Sequence, residues 1–296
     1  DEKWAEQAMA SAPSPTAHVV KTMSKEERGS DAGRAALQLE VDKLVEYGCL
    51  RAPVERGSIR DPAATLSALV MLATIKHVEL DPSMRRHKGR AVVLGNKIVK
   101  AVGRDNPAAA PAVAWENMQS DLAALEDGRL VDAWALINGY GRQTVDFENG
   151  YLQCPWPAGW PVHYLVVPRE IWPLLPAQLR PAPGMRDPVF PMGSCLYGHP
   201  ASGHLFTNMV FDFLVARGWQ PVGRAGSRAL LARGDSLLCV YVDDLKASGP
   251  DGEIAQLWAE LRAVDPATGK PHFRFTEPAE STLFLGQTQS RSREGE

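Results

Sequence analysis

The sequence predicts an α+β fold in which two helices cover one face of an antiparallel sheet. The first observation is the order of elements from Thr144 onward: strand, helix, two or three strands, helix, strand. This βαββαβ order is typical of the split βαβ, ferredoxin-like arrangement. The second is that residues 201–219 and 253–264 each carry one apolar face at helical spacing. The third is composition, because 45% hydrophobic and 23% charged residues over 296 positions suit a globular chain of one large domain or two subdomains.

The N-terminal half contains a lead-in, helices and a basic β-prone segment. Residues 1–30 are rich in Ala, Ser, Pro and charge, which predicts a weakly ordered lead-in. The segment "AALQLEVDKLVEYGCL" has helical spacing, with Gly48 as its C-terminal stop. The segment "RRHKGRAVVLGNKIVKAV" predicts a hairpin of two strands that turns at Gly95–Asn96. Residues 112–125 and 128–138 are predicted as further helices.

The C-terminal half supplies the βαββαβ unit. Residues 155–191 are rich in Pro and Trp and are predicted as an irregular insertion, with a strand-like "HYLVVP" inside it. The helix over 201–219 has Ser202 as a candidate N-cap and Gly218 as a candidate stop. The predicted strands are "TVDFENGYLQ", which ends in a turn, two short runs around the turn "RGDS", then "LKASG", and both ends of "HFRFTEPAESTLFLGQTQ".

Composition limits the classes of function. The formal net charge is −3, from 32 basic and 35 acidic residues, so any nucleic-acid site is expected to be a local groove. No apolar run approaches the roughly 18 residues of a membrane span, and the charged N-terminus does not resemble a signal peptide. The four cysteines form no CxxC pair, which indicates reduced thiols. We therefore expect an intracellular protein that is not secreted and binds no membrane.

Two adjacent aspartates, Asp243 and Asp244, follow the apolar run "LLCVYV". Their mutual repulsion is explained either by solvent, as in an ordinary Asp-Asp turn, or by cations. A third carboxylate, Asp146, ends a strand that would lie beside them. Two hard cations roughly 3.5–4 Å apart, held by carboxylates from adjacent strands, stabilise both oxygens of an in-line phosphoryl displacement. This geometry suits nucleotide addition.

Several short motifs, in order along residues 36–288, resemble the reverse transcriptase domain of copia-type LTR retrotransposons. The motif "YVDDL" resembles the catalytic hairpin of that family, and "VDFENGYLQ" its "DVKTAFLNG" element. "LYGHPASGHLF" resembles "LYGLKQAPRAW", "HKGRAVVLGN" resembles "YKARLVAKG", and "LFLGQ" resembles "FLGI". "LEVDKLVEYGCL" resembles the opening helix "EIDALEENGTW". The resemblance implies a polymerase palm at 141–290, interrupted by the insertion, and a fingers subdomain at 31–140, with the thumb largely absent.

The resemblance also implies a role for each matched residue. Asp146, Asp243 and Asp244 would be the catalytic and metal-binding triad, with Asp146 and Asp243 as direct ligands. Tyr151 would be the aromatic residue that excludes a ribose 2′-OH, with a core aromatic as the alternative. The implied nucleotide-binding residues are Lys88, Arg90, Phe147, Tyr151, Tyr197 and Gly198. The implied primer and template residues are Tyr241, Leu285 and Gly286. For Lys88, a solvated basic turn is the alternative, and for Leu285–Gly286 it is an ordinary edge strand.

The implied activity is RNA-directed DNA polymerase, with two Mg²⁺ ions, or Mn²⁺ in their place, an RNA template, a DNA primer and a dNTP. A dimer or other polyprotein segments would supply the thumb and ribonuclease H, and the location would be a cytoplasmic particle or the nucleus. One departure is Ala201-Ser202-Gly203 in place of Gln-Ala-Pro, which removes a long polar side chain near the nucleotide. The alternatives are a catalytically inactive remnant that binds nucleic acid or has a structural role, and an unrelated metal-dependent nuclease or nucleotidyl cyclase.

Overall fold

The computed structural model describes residues 19–102, 123–223, 228–281, 283–284 and 287–288. The α-helices of this part are α1 (Lys25–Gly29), α2 (Asp31–Glu46), α3 (Leu125–Asn138), α4 (Ser202–Val215) and α5 (Asp251–Arg262). Its strands are β1 (Val20–Thr22), β2 (Val54–Glu55), β3 (Thr65–Lys76), β4 (Arg86–Val93), β5 (Val99–Lys100), β6 (Arg142–Asp146), β7 (His163–Val166), β8 (Pro188–Pro191), β9 (Gln220–Pro221), β10 (Leu230–Arg233), β11 (Ser236–Tyr241), β12 (Asp244–Ser248), β13 (Ala279–Glu280), β14 (Leu283–Phe284) and β15 (Gln287–Thr288).

One sheet has the strand order β13-β6-β12-β11-β10-β9, with every pairing antiparallel. In chain order, the four strands of the βαββαβ unit are β6, β11, β12 and β13. Across the sheet they lie in the order β13-β6-β12-β11, which is 4-1-3-2. This is the split βαβ order, so the predicted fold class is confirmed. We call it the palm sheet.

Both faces of the palm sheet are covered. Strand residues that alternate inward, such as Val145, Leu245 and Ala247, share a core with Leu214 of α4 and Leu257 of α5. Residues on the opposite face form a second cluster with α3 and β14, made by Ala123, Val131, Ala229, Leu230, Cys239 and Phe284. The prediction that two helices cover one face is therefore correct. The second face is covered by α3, a helix that the prediction had assigned to the fingers.

The other sheet is built around the long strand β3. Strands β1, β4 and β5 pair with it antiparallel, and β7 pairs with it in parallel; β8 and β2 follow outward from β7. Helix α2 packs on β4 through Leu37, Val41 and Leu44. A Cβ on Gly89 of β4 would lie 2.8 Å from the carbonyl oxygen of Ala36, so the missing side chain permits this close packing. We call this the fingers sheet.

The predicted hairpin at Gly95–Asn96 is not formed. Strands β4 and β5 do not pair with each other, because both run antiparallel to β3, at Leu69–Lys76 and Thr65–Leu66 respectively. A short 3-10 turn over Gly95–Lys97 interrupts the strand without reversing it. A Cβ on Gly95 would lie 2.1 Å from the carbonyl oxygen of Gly198, so Gly95 is needed for a close approach to another segment.

Two predicted irregular regions contain regular structure. Residues 20–22 and 25–29 of the predicted lead-in form β1 and α1, and Ser24 caps α1 through a capping box with Glu27. The predicted insertion at 155–191 contains the strand-like "HYLVVP" as β7, together with β8, and both join the fingers sheet. The chain therefore returns to the fingers sheet before it completes the palm sheet. The predicted helix at 112–125 lies almost wholly outside the described residues.

The predicted helix stops are confirmed and the predicted N-cap is corrected. Gly48 and Gly218 adopt left-handed conformations with φ of 64° and 88°, just beyond α2 and α4. Ser202 is the first residue of α4 and is fully buried. Its hydroxyl donates to the Leu196 carbonyl (2.7 Å) and accepts the Leu196 N–H (3.1 Å), so it ties the preceding loop to the helix.

Within the described ranges, no helix has both the length and the apolar character that crossing a bilayer requires.

Candidate active site

The three aspartates that were predicted to be catalytic lie at one end of the palm sheet. The register of β6 and β12 places Asp146 directly opposite Asp244, and side chains so placed have Cβ atoms roughly 4.5–5.5 Å apart. Asp243 lies in the turn between β11 and β12, where its carbonyl oxygen accepts the Phe147 N–H at 2.7 Å. The sequence implied Asp146 and Asp243 as the direct pair. The register makes Asp146 and Asp244 the directly facing residues, while Asp243 is the carboxylate whose charge acts most strongly on Asp146, so the assignment of direct ligands stays a prediction.

Burial and crowding of negative charge together set the electrostatics of this cluster. Burial, followed by the charges of Asp243 and Asp146, raises the pKa of Asp244 to about 6. Burial, Asp243 and Glu148 raise the pKa of Asp146, while the Lys88 ammonium opposes that rise. The cluster therefore carries excess negative charge that an incoming cation would relieve.

The fit of the cluster to divalent cations rests on its donor chemistry. Carboxylate oxygens are the ligands that Mg²⁺ and Mn²⁺ prefer, and burial together with the charges of neighbouring carboxylates raises the pKa values of Asp146 and Asp244. In the part of the chain that the structure describes, no group of three or more His, Cys, Asp or Glu side chains is already arranged around a metal position. The aspartates thus fit such ions by type and charge, and their side chains would have to converge on them.

The turn that carries Asp243 is strained. Strands β11 and β12 are joined by only two residues, Val242 and Asp243, because Tyr241 pairs with Asp244. Val242 has a φ of 52°, whereas the first position of such a turn is normally glycine. A β-branched residue in this conformation costs about 1–3 kcal/mol. Strain of this kind is concentrated at functional sites, and the motif "YVDD" alone did not reveal it.

Two tyrosines and two basic residues lie beside the aspartates. The rings of Tyr151 and Tyr197 are 5.0 Å apart, and the guanidinium of Arg90 lies over the Tyr197 ring at 4.8 Å. Burial and the charge of Asp243 raise the pKa values of both tyrosines, that of Tyr197 to about 12, with Arg90 opposing the rise for Tyr197. The positive charge of Lys88 lowers the pKa of Asp146. The structure therefore brings these four predicted residues together with the acidic cluster.

Glycines allow the segments around the site to pack closely. Gly198 has a φ of 84°, and a Cβ on it would lie 2.2 Å from the carbonyl oxygen of Val93. Its close approach is thus to strand β4 of the fingers sheet. Gly150 lies against the acidic turn, since its Cβ would be 3.2 Å from the Cβ of Asp243. The sequence prediction missed Gly150, although its position next to Tyr151 was a usable signal.

Phe147 does not belong to the site surface. Its side chain is only 2% exposed and packs edge-on against Phe206 and Phe275, with ring centroids 5.4 and 6.2 Å away. The predicted nucleotide contact is therefore not available to it. Strand alternation explains this, because Asp146 and Phe147 are consecutive and point to opposite faces. Tyr241 is half-buried against the second core cluster, while Leu285 and Gly286 lie outside the described residues.

A buried charge cluster supports the same strands from the side of α3. Lys246 lies two residues beyond Asp244, on the same face of β12, and is fully buried. Its ammonium pairs with Asp132 of α3 at 2.5 Å, and Arg142 of β6 pairs with the same carboxylate at 3.2 Å. The Lys246 ammonium also lies 5.2 Å from the ring of Phe284 in β14. Sequence reasoning missed this cluster because a strand lysine is normally exposed.

Comparison with known proteins finds distant likenesses among solved structures. No protein-family model and no curated protein matches the chain. Among solved structures, the chain is similar to the protease-reverse transcriptase of prototype foamy virus, with 14% identity, a TM-score of 0.38, and coverage of 87% of this chain and 25% of that one. It is also similar to telomerase from Candida albicans, determined with a fragment of telomeric RNA, with 10% identity, a TM-score of 0.40, and coverage of 90% and 49%. The chain thus spans about a quarter and about half of the lengths of these two proteins.

Proposed function

We propose that the chain is the fingers and palm of an RNA-directed DNA polymerase that transfers a nucleotide from a dNTP to the 3′-OH of a DNA primer on an RNA template. The observation that carries the proposal is the facing pair Asp146–Asp244, with Asp243 in the adjoining turn, at the end of a split βαβ sheet. The resemblance of the ordered motifs to copia-type reverse transcriptases supports the same assignment.

The aspartates would hold two Mg²⁺ ions, or Mn²⁺, which when bound supply charge stabilisation for the attacking and leaving oxygens. The other residues bind and orient the substrates. Lys88 and Arg90 would contact the triphosphate, because charge-assisted hydrogen bonds from cations to phosphate are strong and Arg can make two at once. The half-buried rings of Tyr151 and Tyr197 offer an apolar surface for the sugar and base.

Primer extension tests the proposal. The chain, together with any sequence that flanks it naturally, is expected to extend oligo(dT) on poly(rA) in a reaction that depends on Mg²⁺. Asp243→Asn is expected to abolish extension, because it removes a charge from the cation site. The matched control is Asp235→Asn, which alters an exposed aspartate in the β10–β11 turn, at the opposite end of strand β11 from Asp243. Absence of extension by the natural chain, or equal activity of the two variants, would refute the proposal.

A second candidate function is nucleic-acid binding without catalysis. The observation that favours it is that Lys88, Arg90 and Tyr197 form a cationic and aromatic surface that can bind phosphate and bases without metal. It predicts that binding to a template–primer duplex persists in EDTA and in Asp146→Asn, and weakens in Arg90→Gln. Mg²⁺-dependent turnover in the extension assay would decide against it.

A further inference from the structure

Two buried cysteines lie in the two segments that carry the tyrosine pair of the candidate site. Cys154 ends the 3-10 turn that contains Tyr151, and Cys195 precedes Tyr197 by two residues. The rings of these tyrosines are 5.0 Å apart. All four cysteines of the chain are free thiols, and the proposed nucleotide transfer uses none of them. The two thiols beside the tyrosines are therefore reactive groups without an assigned role.

The backbone holds Cys154 and Cys195 directly opposite each other. The Cys195 N–H donates to the Cys154 carbonyl at 2.8 Å, and the neighbouring residues Pro155 and Ser194 form an antiparallel bridge. Residues that face each other in such a pair place their side chains on the same side, with Cα atoms about 5.5 Å apart when the pair is hydrogen-bonded. Disulfides join cysteines whose Cα atoms are about 4.4–6.8 Å apart. The two thiols therefore lie at a separation that a disulfide can span without movement of the backbone.

The other two cysteines are less well placed to pair with Cys195. Cys49 is close enough for its charge to act on Cys195, but its carbonyl accepts the Gly193 N–H at 2.9 Å, so it stands opposite Gly193. Cys239 packs in the second core cluster, on the other face of the palm sheet. The backbone therefore selects Cys154 as the partner of Cys195.

The two facing thiols differ in acidity and in access. A hydrogen bond from the Cys195 thiol lowers the pKa of Cys154 against the opposing effect of burial, whereas the same contact, together with burial, raises the pKa of Cys195. Cys154 is 4% exposed and Cys195 is 0% exposed. Cys154 is therefore the thiol that ionises more readily and that a small oxidant meets first, with Cys195 beside it as the resolving thiol.

We propose that Cys154 and Cys195 form a redox site that closes to an intramolecular disulfide when a peroxide oxidises it. The Cys154 thiolate attacks one oxygen of hydrogen peroxide, the O–O bond breaks, and the departing hydroxide takes up the proton that the thiol released, which gives a sulfenic acid and water. The Cys195 sulfur then attacks the sulfenic sulfur, the S–S bond forms as the S–O bond breaks, and the hydroxide leaves with the Cys195 proton as a second water. Two thiols are oxidised and one peroxide is reduced. The proposal does not depend on the polymerase assignment.

The disulfide would tie the segment that carries Tyr151 to the segment that carries Tyr197. It would close a loop over residues 154–195, which includes strands β7 and β8 of the fingers sheet. A cross-link over a long loop stabilises the folded state mainly because it lowers the entropy of the unfolded chain. The oxidised protein is therefore expected to melt at a higher temperature and to exchange the amide hydrogens of residues 150–154 and 193–198 more slowly.

Mass spectrometry of the full chain after treatment with hydrogen peroxide at neutral pH tests the proposal. The natural chain is expected to lose about 2 Da, to keep two of its four thiols for alkylation after denaturation, and to yield a peptide that links Cys154 to Cys195. Its melting temperature should rise by about 5 °C or more, and dithiothreitol should reverse the change. Cys154→Ser and Cys195→Ser should form no internal disulfide. The matched controls Cys49→Ser and Cys239→Ser, which also alter buried cysteines, should form it as the natural chain does.

The order of the two steps can be read from the single variants. Dimedone, which traps sulfenic acids, is expected to label Cys154 in Cys195→Ser and to leave Cys195 unlabelled in Cys154→Ser. A link between Cys195 and Cys49, disulfides between chains alone, or four thiols retained at peroxide concentrations that oxidise glutathione would each overturn the proposal. These measurements on the natural chain need no variant and no polymerase activity, so a failure of the primer-extension assay would leave the outcome unchanged.

Discussion

Replacing Asp244 by Asn is expected to stabilise the protein at neutral pH while removing part of its acidic site. The folded state raises the pKa of Asp244 from 3.8 to about 6, a difference that corresponds to about 3 kcal/mol for a fully shielded group. Because the side chain is only half-buried, solvent screening reduces this to about 1–1.5 kcal/mol. In the absence of divalent cations, Asp244→Asn should therefore raise the free energy of unfolding at pH 7.5 by about that amount, or the melting temperature by about 3 °C.

The pH range in which Asp244→Asn stabilises the protein follows from the direction of the pKa shift of Asp244. A carboxyl group whose folded-state pKa is raised binds its proton more tightly in the folded state, so the penalty appears as the pH rises from about 4 to about 6. At pH 3.5 the aspartate is protonated and resembles asparagine, and the two proteins should have nearly equal stability. Urea unfolding in EDTA at both pH values measures the difference, with Asp235→Asn as the control. An equal gain at pH 3.5 and 7.5, or no gain at either, would refute the electrostatic reasoning.

Three further substitutions follow from the geometry around the site. Gly198→Ala should destabilise the protein by about 3 kcal/mol or more in urea unfolding, because φ is 84° and the new Cβ would lie 2.2 Å from the Val93 carbonyl oxygen. Val242→Gly should stabilise it by about 1 kcal/mol in the same assay, because relief of the left-handed strain exceeds the added chain entropy of glycine. Asp132→Asn should destabilise it by about 3–5 kcal/mol, because it leaves the buried Lys246 ammonium without a counter-charge.

Matched variants separate these effects from general damage. Gly159→Ala introduces a Cβ with nothing within 4 Å and should be nearly neutral, so a comparable loss there would contradict the steric reasoning for Gly198. Lys246→Met should cost less than Asp132→Asn, because Asp132 keeps its pair with Arg142. If Lys246→Met proved the more damaging, the uncompensated buried charge would not be the cause.

Local patterns predicted most of the helices and strands of the palm. The helix stops at Gly48 and Gly218 and the three strands around "RGDS" and "VDD" are formed as expected. These features depend on residues close in the chain, where periodicity and glycine conformation act directly. The alternation of side chains along β6 was also enough to predict that Phe147 faces away from Asp146 and from the site.

Pairing between distant segments could not be predicted in this way. The sequence of β4 and β5 suits a hairpin, and only the length of β3 allows both to lie along one partner. Strand β8 was not predicted, and β7 was predicted only as a strand-like stretch within an irregular insertion, because the hydrogen-bond partners of both belong to the fingers sheet. Short β segments gain their stability from such partners, so their assignment depends on long-range contacts.

The sequence by itself determined the βαββαβ order, the three aspartates and the basic and tyrosine residues that accompany them. Only the tertiary structure decided that Asp244, and not Asp243, faces Asp146, because a register is set by the pairing of two strands. It likewise decided that Lys246 is buried, since burial depends on the placement of α3, and that Val242 is strained, since the turn must close in two residues. Chemistry is carried by residue type, which the sequence states, whereas distance and desolvation arise from packing between segments far apart in the chain.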